Sequence, residues 1–213
     1  MRAMMFSNAK PNPAPGYSRF CCAWIIRSTF AFTLVFTTSC SGSLFQVKPL
    51  AELPRMPPTV ASVNLGSISF RAAPMLTDEE SQELFEANLQ LAGLLPVRVE
   101  INHNGGKAIE MKKFRFRLTD TAGTKWKTIS AKQAIARILK ANDVFAYNPS
   151  SRKTFEQEFR AYELNLKNPL TQSEGRRQGV LIFLAPDKSP VSSPRGLVLT
   201  IGGLSQPATL NLN

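Results

Sequence analysis

Between Leu95 and Asn102 apolar and polar residues take turns, with Val97, Val99 and Ile101 on one parity and Arg98, Glu100 and Asn102 on the other. Side chains leave a strand on alternate faces, so this two-residue period predicts a strand with one face on a core and one toward water. A helix would scatter the same residues around its whole circumference at 3.6 residues per turn. Phe114, Phe116 and Leu118 repeat the period against Lys113, Arg115 and Arg117. Two such segments commit the chain to a mainly β fold.

The punctuation around them predicts the remaining elements. Val63 and Leu65 share one parity and Ile68, Phe70 and Ala72 the other, so Gly66 between them predicts a β-bulge. Asn104-Gly105-Gly106 predicts a hairpin, with Ile109 and Met111 on the return strand and a second bulge at Lys112-Lys113. Further strands are expected at Lys125–Ile129, at the apolar run Val180–Leu184, at Gly196–Ile201 and at Ala208–Leu212. Thr77 with Glu80, and Ser130 with Gln133, have the spacing of capping boxes opening helices. Gly93 is the expected stop of the first helix, Ala131 to Leu139 carries an apolar stripe, and Arg152–Leu166 places Phe155, Phe159, Tyr162 and Leu166 on one face. The expected fold is mainly β: an antiparallel, immunoglobulin-like β-sandwich of about seven strands over 59–213, with a short N-terminal helix and a two-helix insertion at 130–168. Ser41–Pro58, with Pro49, Pro54, Pro57 and Pro58, reads as a flexible tether.

The N-terminus has a separate logic. Residues 1–39 hold four basic residues (Arg2, Lys10, Arg19, Arg27) and no acid, then an apolar run from Ser28 to Phe36 and the small residues Thr37, Thr38 and Ser39. That is the anatomy of a secretory signal peptide. The Cys40 that follows resembles the lipobox of bacterial lipoproteins, whose pattern prefers Leu, Ala or Ser, and Gly or Ala in the three preceding places. The resemblance implies cleavage before Cys40, a lipid attached to it and, with Ser41 next, an outer-membrane address. Plain secretion, or retention of Phe20–Ser39 as an anchor, are the alternatives; Arg27 opposes the second. Removing 1–39 takes four charges from the formal +11 and leaves +7, with Cys40 the last of three cysteines, so no internal disulfide is expected. A moderately basic exported chain points toward membrane surfaces and acidic polymers rather than nucleic acid.

Leu95–Met111 (LPVRVEINHNGGKAIEM) followed by Arg176–Pro186 (RRQGVLIFLAP) resembles the immunoglobulin-like sandwich of small bacterial envelope lipoproteins. That resemblance implies a fold and an envelope location, facing the periplasm or the cell surface, but no activity.

No catalytic, metal or cofactor signature is found. His103, the one histidine, has no cysteine or second histidine with which to share a metal and reads as a turn residue. Asn104-Gly105-Gly106-Lys107 does not match a phosphate loop, which needs two glycines five apart, then Lys and Ser or Thr leading into a helix; here Ala108 replaces the hydroxyl residue and the expected flanks are strands. The candidate contact surface is a basic stripe of Lys113, Arg115 and Arg117, continued by Lys125 and Lys127 and by Arg98 across the sheet. It would meet anionic lipid or an envelope polymer; the competing reading is a solvated sheet face. The loop Asn142–Ser150, with Phe145 and Tyr147, is a candidate tip for a protein partner. The expected function is a non-enzymatic, membrane-anchored binding or structural module, held to the membrane by lipid at Cys40. An exported enzyme with an unrecognised site is the alternative.

Overall fold

The computed structural model describes residues 44–144, 148–204 and 206–213. The expected signal segment 1–39, Cys40, Phe145 and Tyr147 lie outside the described residues. The strands are β1 (Ala61–Leu65), β2 (Ile68–Pro74), β3 (Leu94–His103), β4 (Arg115–Thr119), β5 (Lys125–Ile129), β6 (Arg176–Leu184), β7 (Val198–Gly202) and β8 (Ala208–Asn211). The α-helices are α1 (Asp78–Phe85), α2 (Ala131–Ala141) and α3 (Pro149–Ala161). All eight strands join one antiparallel sheet in the order β1-β2-β3-β6-β5-β4-β7-β8. The end strands β1 and β8 come alongside each other without a ladder between them, so the sheet is nearly a barrel.

One sheet stands where two face-packed sheets of about seven strands were expected. The stitch is β5, which pairs with β6 through Ile129↔Ile182 and with β4 through Leu118↔Trp126. Three local expectations change with it. Leu65 pairs with Ile68 across Gly66-Ser67, so Gly66 (φ 68°) opens a two-residue hairpin rather than a bulge, and the parity changes because the two runs are different strands. Asn104-Gly105-Gly106 likewise makes no β-hairpin, since β3 lies between β2 and β6. The N–H of Asn104 donates to Ser67 O (2.7 Å) and that of His103 to Gly175 O (2.8 Å), so other loops take the groups a hairpin would have paired. The chain then passes through a 3₁₀ turn, Met111–Lys113, which shifts the parity where the second bulge was expected.

Both predicted capping boxes form. Thr77 and Glu80 open α1, and Ser130 and Gln133 open α2. Helix α1 ends at Glu86 in the left-handed region (φ 50°), well before Gly93. Helix α3 starts earlier than its aromatic spacing suggested, with Pro149 in its first turn and the Asn148 side chain accepting from the Ser150 N–H.

Two apolar cores follow. Phe70, Val99, Phe114, Leu118, Phe183 and Ile201 fill the barrel interior. Outside it, Leu94, Val180, Ile182 and Leu184 meet a helical layer that includes Phe85, Ile135, Ile138, Phe155 and Phe159. Phe85 stacks 5.0 Å from Phe159 and 4.9 Å from Tyr162. Strands β3 and β6 are thus covered on both faces here, which is why Val180–Leu184 is apolar without alternation.

After α3 the chain crosses β6 so closely that a Cβ on Gly179 would lie 2.6 Å from Leu164 Cα. Leu164 and Leu170 then join the barrel core. Arg177 ties that crossing loop down, donating to the carbonyls of Asn165, Asn168 and Pro169 and to the Glu174 carboxylate. The hydrogen bonds from Arg177 hold the Glu174 carboxyl below its ordinary range.

The proline-rich segment is not a free tether from Leu44 onward. Val47, Leu53 and Met56 are buried, and the Tyr162 hydroxyl donates to Lys48 O (2.6 Å). The Lys48 N–H donates to Leu84 O, and Phe45 meets Phe155 edge-on at 5.0 Å. Residues 44–58 form a strap across the helical layer. Shortening the 41–213 domain to 54–213 removes the buried Val47 and Leu53 side chains, each worth about 1.5–3 kcal/mol. The urea midpoint is expected to fall by the equivalent of about 3–6 kcal/mol; an unchanged midpoint would mean that the strap adds no stability.

Candidate functional site

The uncovered wall of the barrel carries the charge. Phe114, Phe116 and Leu118 are buried, while Lys113, Arg115 and Arg117 are exposed, as their alternation requires. Lys125 and Lys127 on β5 are exposed beside them, with Lys125 opposite Thr119. The outward positions of the neighbouring β7 and β8 (Val198, Thr200, Thr209, Asn211) are uncharged, and these four strands contain no Asp or Glu. Among the described residues none of the five basic side chains forms an ion pair. Arg115 folds back instead, its Nη1 donating to Lys112 O (2.6 Å) and Phe114 O (2.9 Å). Alternate residues on a strand stand about 7 Å apart and adjacent strands about 4.8 Å, both within one Debye length at physiological salt, so these charges act as one field. Lys112, exposed in the 3₁₀ turn, enlarges the patch; the expected bulge had concealed it.

Arg98 does not belong to this wall. Strand β6 separates β3 from β5, and Arg98 lies half-buried under the strap, donating to Pro54 O. Burial lowers its pKa from the usual guanidinium value. Nearby Glu100 is 5 % exposed and pairs with Arg176 at 2.6 Å and Arg71 at 3.5 Å. Asn102 donates to the same carboxylate, and Arg71 also donates to the carbonyls of Met56 and Pro57. This cluster fastens the strap to the sheet; three arginines around one buried acid leave it net positive. The pattern Arg98-x-Glu100-x-Asn102 on one parity marked these residues as neighbours, but nothing local marked the strap as their cover.

His103 is buried at the end of β3, where its Nδ1 accepts from the Gly105 N–H (3.0 Å) and its Nε2 lies 3.1 Å from Lys107 O. That pair of contacts occupies both ring nitrogens within their own loop. Among the described residues no three of His, Cys, Asp and Glu converge on a metal-sized site, and no helix is long and apolar enough to cross a membrane. Comparison with protein-family models, with curated proteins and with solved structures finds no match.

The two arginine groups predict opposite mutational behaviour. Glu100→Gln strands guanidiniums around a neutral amide and should cost about 2–3 kcal/mol, below the range for a fully buried pair because Arg71 and Arg176 keep some solvent. The double variant Arg115→Ala/Arg117→Ala should change stability by less than about 0.5 kcal/mol per site. Urea unfolding checks both, and the reverse ranking would contradict this assignment.

Proposed function

We propose that the chain is an exported envelope lipoprotein, acylated at Cys40, that works as a non-enzymatic module docking on an anionic surface through the β4–β5 wall. The observation that carries the reading is that wall: exposed Lys and Arg on adjacent strands, no acid among its strands, and no helix laid over it among the described residues. Like charges on neighbouring strands repel, and a polyanionic surface relieves that repulsion. The strap supports the same reading. Leu44 is already packed on the domain, and four residue steps from Cys40 reach about 14 Å at most. A lipid on Cys40 would hold the domain close to the bilayer, where each basic residue contributes about 1 kcal/mol.

Vesicle pelleting of the 41–213 domain, which carries both cores, tests the surface. Binding to phosphatidylglycerol vesicles is expected at low salt, to disappear in high salt, and to weaken roughly 30-fold in the Arg115→Ala/Arg117→Ala variant. Equal binding to neutral vesicles, or no loss in the variant, would overturn it. Acylation is read separately from the intact mass of the native protein; an unmodified Cys40 would remove the lipid anchor.

A further inference from the structure

The sheet has seven hydrogen-bonded interfaces and one open seam, between β1 and β8. At the foot of that seam is a cavity of about 490 Å³ between the β1–β2 turn, the 108–114 segment and the β7–β8 turn. Half-buried Leu65, Ile109 and Leu204 ring it, and the buried Ile68 and Phe114 form its floor. Lys113 lines its lip and is also the first residue of the basic wall. The shape is built rather than incidental. Gly203 (φ 88°) brings the β7–β8 turn so close to the 111–114 backbone that a Cβ there would collide with the Lys113 carbonyl, and this approach holds Leu204 over the mouth. At the same end, the loop fastened by Arg177 brings Leu170 to pair with Ile109, leaving the seam side as the open part of the mouth.

We propose that this mouth takes one acyl chain of an anionic lipid, with the headgroup on Lys113 and the adjoining Lys112 and Arg115. An eight-stranded barrel has interior room for side chains and at most one small ligand, and here the side chains fill it above Phe114. A chain end therefore enters the mouth only. Leu65, Ile68, Ile109, Phe114 and Leu204 make the apolar part of the lining, and Ser67, Gln206 and the exposed Glu110 the polar part. Lys113 with the adjoining Lys112 and Arg115 sets three cations against that one acid, which suits an amphiphile with a negative head, and the cavity lies within the usual size range of ligand pockets. The headgroup half of this inference rests on the anionic-contact reading above; the acyl half stands on the cavity.

The test uses cis-parinaric acid, a fluorescent single-chain anion, titrated below its aggregation concentration into the 41–213 domain. Saturable one-to-one binding is expected, at least tenfold weaker in Leu204→Trp and in Ala108→Phe, two bulky replacements from opposite sides of the mouth. Each variant is first shown to melt cooperatively, and vesicle pelleting should be unchanged in both. Lys113→Gln should weaken the probe about fivefold, and lysophosphatidylglycerol should displace it. No saturable binding, or undiminished binding in both folded mouth variants, overturns the acyl site even if vesicle binding persists. Probe binding without any vesicle binding supports the site and overturns the surface reading instead.

Discussion

The molecule depends on the pairing of β3 with β6, which runs from Leu94↔Leu184 to Asn102↔Arg176. Both strands are buried on both faces over their upper half: Leu95, Val97, Leu181 and Phe183 point into the barrel, while Leu94, Val180, Ile182 and Leu184 support the helices. A shared wall makes the two cores interdependent, because a register slip of one residue would exchange their side chains. It also decides which walls stay bare. Among the described residues the helices spread from β3 to Ile129 at the end of β5 and stop there, so β4 and the first part of β5 face outward without a helix over them. The exposed charges occupy that bare wall.

Toward His103 the same outer face of β3 turns from apolar to ionic. The strap reaches that region through main-chain carbonyls at Pro54, Met56 and Pro57, which accept from Arg98 and Arg71. Carbonyls are suited to the task because Pro54 and Pro57 lack N–H groups that would otherwise need partners in a half-buried setting. The basic residues therefore separate by environment. Those on β2, β3 and β6 are spent within the fold, around Glu100 and the strap or, for Arg177, on the crossing loop and Glu174, whereas those on β4 and β5 pair with no acid among the described residues.

What could be read from the chain was what is local. Alternation at Phe114–Leu118 placed three side chains in the core and two arginines outside, because parity is a property of one strand. The capping boxes at Thr77 and Ser130 were equally legible, since each is complete within four residues. Partnership was not. Strands β3 and β6 lie some seventy residues apart in sequence, and parity gives the face of Arg98 without giving its neighbours or its place on β3, two strands from the β5 edge of the basic wall. Asn104-Gly105-Gly106 has the residues of a hairpin, yet the N–H groups of Asn104 and His103 donate to Ser67 O and Gly175 O instead. Proline content revealed an extended strap but not its cover; the signal that could have done so was the apolar series Val47, Leu53 and Met56 inside it. The mouth cavity had no sequence signature, because turns distant in the chain assemble it.

The central claim is that the β4–β5 wall is the face that meets an anionic surface, and lysine footprinting tests it residue by residue. The 41–213 domain, free or bound to phosphatidylglycerol vesicles, is treated briefly with an acetylating reagent and read by peptide mass spectrometry. Lys112, Lys113, Lys125 and Lys127 should lose reactivity on the vesicles, while Lys132, Lys153, Lys167 and Lys188, exposed elsewhere, should keep it. Uniform protection of all eight, or protection confined to the second four, would contradict the account.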